Sequence, residues 1–67
     1  MYRVVRESRI GANRGANVKG IAEFDNETDA RQYAHNKALE ALLSVSLRII
    51  NISEGVQVAV YHGVRNF

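Results

Sequence analysis

The sequence predicts an α+β domain of order β-β-α-β-β, an antiparallel sheet with one helix packed on one face. Three observations carry that expectation. Two β-branched, partly alternating runs precede residue 25, a stretch rich in alanine and leucine without proline or glycine follows, and two further β-branched runs come after it. Sixty-seven residues make a single domain, 1–67, and folding at this size hides only about 60% of the surface the unfolded chain exposes. That excludes a two-domain enzyme and a deep catalytic cleft. With no cysteine and no proline, packing has to hold the chain together, unaided or helped by self-association.

The first strand is read over residues 2–10 (YRVVRESRI), with Tyr2, Val4 and Ile10 on one face. Residues 11–17 (GANRGAN) form a turn or loop, because glycine and asparagine supply the left-handed conformations that a reversal needs. Residues 18–24 (VKGIAEF) return as a second strand with Val18, Ala22 and Phe24 facing one way, which completes a hairpin. Asn26 suits a helix N-cap, and Glu27 and Asp29 fall in the first turn, where the helix dipole favours acids. The helix runs from there through Ala30 to about Ser44. At 100° per residue, Ala30, Ala34, Ala38, Ala41 and Leu42 share a face of mostly small residues, so the helix can lie close to a sheet. Leu39 and Leu43 point the other way, either folding over the sheet edge or marking a second contact such as a homodimer seam. Residues 46–53 and 56–62 are two more strands joined by the compact turn Ser53-Glu54-Gly55. Val56, Val58 and Val60 form one face of the last strand and Gln57, Ala59 and Tyr61 the other. The tail, residues 63–67, is expected to end that strand and fray.

Charge is distributed unevenly. Residues 1–20 hold Arg3, Arg6, Arg9, Arg14 and Lys19 against Glu7 alone, whereas residues 21–54 hold six acids against three bases. The net charge of +2 is too small to mark a nucleic-acid binder by itself. The lack of cysteine suits a reducing compartment. No run approaches the roughly 20 apolar residues that span a bilayer, and the first residues lack the apolar core of a signal peptide. A cytoplasmic protein without membrane contact is expected.

No enzyme is expected either. Neither His35 nor His62 sits in a triad signature, and no histidine pair has metal-ligand spacing. Glu23, Asp25, Glu27 and Asp29 resemble an acidic site, yet the spacing lacks the central glycine and distal glutamate of a calcium loop. They read instead as a strand end and a well-charged helix N-terminus. GANRGAN lacks the Gly-Lys-Ser/Thr ending of a P-loop and leads into a strand rather than a helix. It serves as a plain connection or presents Arg14 to something negative. No catalytic residue, cofactor or metal is therefore assigned.

The sheet face away from the helix carries the main functional expectation. With strict alternation it holds Arg3, Val5, Arg9, Lys19, Ile21, Gln57, Ala59 and Tyr61, joined by Arg48, Ile50 and Ile52 or by Leu47 and Ile49. Apolar groups among arginines have the composition that interfaces favour at their centres. A sheet curled around its single helix would tuck some of them away.

The run YRVV, a loop, VKGIAEFDNETDARQYAHNKAL and then SLRIINIS-EG-VQVAVYHG resembles the short phage-encoded anti-CRISPR inhibitors of β-β-α-β-β type that act on type I surveillance complexes. AEFDNETDARQYA is similar to their strand-to-helix junction. The resemblance implies a non-catalytic inhibitor, derived from a phage or mobile element, that sits on a protein surface meant for target DNA. Arg3, Arg14, Lys19, Ile21, Arg48 and Tyr61 are the candidate partner-binding residues. The expected partner is a host protein or nucleoprotein complex, bound by a monomer or homodimer and with direct nucleic-acid contact allowed. The alternative is a small nucleic-acid-binding module that uses the basic first hairpin.

Overall fold

The computed structural model describes residues 1–8 and 17–66. The described elements are β1 (Tyr2–Ser8), β2 (Asn17–Phe24), α1 (Glu27–Glu40), β3 (Val45–Asn51) and β4 (Val56–His62). The predicted order β-β-α-β-β is the observed one. The expectations for the 11–17 loop, Arg9, Ile10 and Arg14 fall on positions outside the described residues, apart from the backbone of Asn17.

All neighbouring strands pair antiparallel, in the order β2-β1-β3-β4. β2 and β3 therefore run parallel with β1 between them, a connection too wide for a tight turn. The helix makes this crossing and packs chiefly on β3. Its start is fixed by Asn26, whose Oδ1 accepts the Asp29 backbone N–H at 2.8 Å while its Nδ2 donates to the Asp29 carboxylate at 3.0 Å. Ala30, Ala34 and Ala38 are buried, as the small-residue stripe predicts. They rest on Val4, Val45, Leu47 and Ile49, the largest fully buried side chains.

The helix ends at Glu40, four residues before the expected Ser44. The chain turns extended at Ala41, and the segment after it makes a different set of bonds. Ala41 O accepts from Val64 and Arg65, Arg65 O accepts from Leu43, and Val45 O accepts from Gly63. The tail therefore does not fray over 63–65. It forms a parallel bridge with Leu42 and ties the last strand back to the helix exit. This approach is so close that a Cβ on Gly63 would lie 1.9 Å from the Leu42 carbonyl oxygen. Helical continuation loses to these tertiary bonds although the local propensity favours it.

Strict alternation fails at two positions. β1 pairs Val4 with Ala22 but Val5 with Gly20, which leaves Ile21 as an extra residue in β2. β3 pairs Ile49 with Ala59 but Ile50 with Gln57, which leaves Val58 as an extra residue in β4. An inserted residue reverses the facing of everything beyond it. Ile21, Ala59 and Tyr61 consequently pack on the helix side instead of the open face. Lys19, opposite Arg6, also lies on the helix side. Val18, opposite Glu7, and Val60, opposite Arg48, take the outer positions. In β3, Leu47 and Ile49 are the buried pair, so Arg48 and Ile50 face outward.

At the β3–β4 turn, Gly55 adopts φ +69°, a left-handed conformation that glycine takes without strain. Its N–H donates to Asn51 O at 2.7 Å, and the Asn51 side chain accepts from Glu54 N at 3.3 Å. No described helix is long and apolar enough to cross a membrane.

Candidate interaction surface

The uncovered side of the sheet is built from the outward positions of all four strands. β1 contributes Arg3, Val5 and Glu7, and β3 contributes Ser46, Arg48 and Ile50. β4 adds Gln57, Val60 and His62, and β2 adds Val18, Gly20 and Glu23. No described element lies over them.

Bridges between strands fix the charged groups of this face. Arg3 Nε and Nη2 donate to Glu23 Oε2 at 2.9 and 2.8 Å. Arg48 Nε donates to Glu7 Oε1 at 2.7 Å, and its Nη1 donates to Gln57 Oε1 at 2.8 Å. A single guanidinium thus ties three strands together, the geometry that its rigid fork of donors allows. Ser46 Oγ and His62 Nδ1 lie 3.0 Å apart in a fourth cross-strand contact. Val5, Ile50 and Val60 sit half-buried between these bridges. Val18 is 64% exposed at the β2 edge. A depression of about 450 Å³ opens on this face among Arg3, Val5, Val18, Gly20, Ala22 and Glu23. Gly20 leaves room there for the Arg3 stem, since a Cβ on Gly20 would meet Arg3 Cδ at 3.3 Å.

The sequence-predicted site residues separate into groups. Arg3 and Arg48 share the outer face, each already paired with a carboxylate. Lys19 and Ile21 lie on the helix side, near the β1–β2 end. Tyr61 also lies on that side but on β4, 6.0 Å edge-on from the His35 ring. Ile21 and Tyr61 are thus corrected from open-face contacts to groups packed against the core, because the two bulges reverse their strands. Arg14 lies outside the described residues. Sequence reasoning missed Val18 and Val60 on the outer face. Gly20, an isolated glycine inside a strand pattern, is the one sequence sign of the β2 bulge, whereas nothing in the sequence marks Val58.

The remaining motifs resolve into structural roles. Three members of the acidic cluster have partners: Glu23 on Arg3, Glu27 on Arg31 and Asp29 on Asn26. Arg31 also reaches the Val58 carbonyl oxygen at 3.4 Å, at the bulge of the β4 edge. Its guanidinium is held above the ordinary arginine range by hydrogen bonding to Glu27 and then to Tyr61. This cap and the bulge blunt an uncharged strand edge that would otherwise invite pairing. His35 and His62 occupy opposite sides of the sheet. Ser46 and His62 form a hydrogen-bonded pair, but among the described residues no acid bonds the other imidazole nitrogen, and a nucleophile needs a base held in place by a third group. Among the described residues no group of three or more His, Asp or Glu side chains is placed to hold a metal ion. Leu39 and Leu43 are 50% and 61% exposed, so they do not tuck over the sheet edge.

No family model, no curated protein and no solved structure matches this chain.

Proposed function

We propose that this chain is a non-catalytic binding protein that docks its uncovered sheet face on a larger host protein or nucleoprotein machine in the cytoplasm. By occupying that surface it keeps nucleic acid away. The occluding action, and the phage or mobile-element origin, rest on the resemblance to small anti-CRISPR inhibitors. The docking face rests on one observation: a sheet side that no described element covers, whose two arginines and two glutamates are already paired with each other around Val5, Ile50 and Val60.

That pairing favours a protein surface over a polyanion. Nucleic-acid affinity comes from cations free to displace counterions at phosphates, and Arg3 and Arg48 are both committed to carboxylates. Side chains held by cross-strand bridges have little rotamer freedom left to lose on docking, which lowers the cost of association. The broad side of the molecule, 34 × 24 Å, outlines roughly 800 Å², about what one partner contributes to a standard-sized interface.

The test is affinity capture from host lysate with the wild-type chain, Val5→Glu and Val60→Glu as parallel baits, followed by mass spectrometry. The reading expects a protein or nucleoprotein complex held by wild type and lost from both variants while their circular dichroism stays native. Addition of the wild-type chain should also weaken that complex's binding to nucleic acid. Capture that is indifferent to both substitutions, or retention of nucleic acid alone, would overturn it.

A further inference from the structure

On the other side of the sheet, where the last turns of α1 pass over β1 and β2, lies a cleft of about 200 Å³ lined by Arg6, Ile21, Lys37, Glu40, Ala41, Val45 and Leu47. Its floor is apolar, formed by Val45 and Leu47 from β3 and by Ile21 from the β2 bulge. Its rim sets two cations beside the single carboxylate of Glu40. Arg6 enters from β1 and Lys37 from the helix. Lys19 stands directly across from Arg6 in the β1–β2 register.

None of these three cations makes an ion pair among the described residues. Lys37 Nζ lies only against the Tyr33 ring, 5.5 Å from its centroid, and Glu40 bridges to none of them. Residues 9–16 contain no acid that could serve as a partner. Like charges directly opposite in a sheet are destabilising, so the Arg6–Lys19 pairing is a cost that the fold itself does not recover. Such local conflicts concentrate at functional sites.

We infer that this cleft binds an acidic peptide segment of a partner protein, with one aromatic or branched aliphatic side chain inserted between α1 and the β1–β2 pair. A cavity of about 150 Å³ already accepts benzene, so 200 Å³ takes one such side chain. Carboxylates flanking the anchor meet Arg6, Lys19 and Lys37 and relieve their mutual repulsion. A phosphate backbone fits less well, because it offers nothing to the apolar floor. The inference is independent of the outer-face docking, from which the whole sheet separates it.

The probe is a fluorescein-labelled peptide of aspartate and glutamate around a single phenylalanine, titrated by fluorescence anisotropy at low and physiological salt. Saturable binding is expected, weakened at least about tenfold by Arg6→Glu and again by Lys37→Glu, as charge reversal at a complementary contact does. Replacing the peptide's phenylalanine by serine should also weaken binding, whereas the outer-face variant Val60→Glu should bind as wild type does. Circular dichroism of each variant confirms the fold, and either cation variant alone suffices if the other fails to fold. Equal binding of a lysine-for-acid control peptide, tighter binding of a single-stranded DNA oligonucleotide, or indifference to both cation variants would overturn the inference.

Discussion

The two sides of this sheet carry the same kinds of side chain and treat them oppositely. On the outer side both arginines are engaged, Arg3 by Glu23 and Arg48 by Glu7 and Gln57. On the helix side Arg6 and Lys37 line a cleft with Glu40, Lys19 stands across from Arg6, and none of the three cations makes an ion pair among the described residues. Surface ion pairs of the first kind contribute little to stability, typically about 0–1 kcal/mol. Their larger effect is to fix the shape of an exposed face. Cations of the second kind cost stability and keep their field available. The contrast teaches that net charge is a poor guide to where a small protein can attract an anion, because what matters is which charges remain unspent.

Both sides depend on one seam, and the largest expected effect falls there. Gly63 is buried where the tail crosses the helix exit, and any Cβ would collide with the backbone of Ala41 and Leu42. Backbone cannot rotate aside as a side-chain tip can. Gly63→Ala should therefore cost about 3 kcal/mol or more, lowering Tm by more than about 12 °C for a domain of this size. Thermal unfolding followed by circular dichroism measures it. A variant as stable as wild type would mean that residues 63–65 do not lock the helix exit, and the shape of both sides would then need another cause.

The next effect tests the division between the sides directly. Ile49 and Ile50 are adjacent in β3 and chemically identical, yet Ile49 is fully buried under the helix whereas Ile50 is half-buried on the outer face. Ile49→Ala should cost about 2–5 kcal/mol through lost burial and the cavity it leaves. Ile50→Ala should cost about 1 kcal/mol, since much of its surface is wet already. Chemical denaturation of the two variants separates them. Equal losses would indicate that something covers the outer face, for instance a second copy of the chain, and a repeat at several protein concentrations would reveal that.

Much of this architecture is legible in the sequence because its signals are local. The Asn26 cap, the alanine stripe at 30, 34 and 38, and the glycine of the β3–β4 turn each follow from the conformational preference of one residue type. What could not be read depends on contacts distant in sequence. The helix stops at Glu40 because Ala41–Leu43 bond to Val64 and Arg65, more than twenty positions away. The facing of Lys19, Ile21, Val60 and Tyr61 hinges on two inserted residues, and a bulge changes pairing without changing composition. Of the predicted binding residues, Arg3 kept its face and Arg48 took the outward one of the two settings left open for its strand; they lie in β1 and β3, whose mutual register is regular. The residues that changed sides all lie in β2 or β4, where the bulges are.

The smallest expected effect has the opposite sign. Arg6 faces Lys19 across the β1–β2 pair and borders Lys37 in the cleft, so Arg6→Glu replaces a like-charge opposition by a cross-strand attraction. Such pairs are worth about 0.2–1 kcal/mol, and the substitution should raise stability by about half a kcal/mol at low salt. The gain should shrink as salt approaches physiological strength, where the screening length is about 8 Å. If Arg6 were there to hold the fold, its reversal would destabilise at every ionic strength. A stabilising reversal is the behaviour of a charge kept for a ligand at some cost to the free protein.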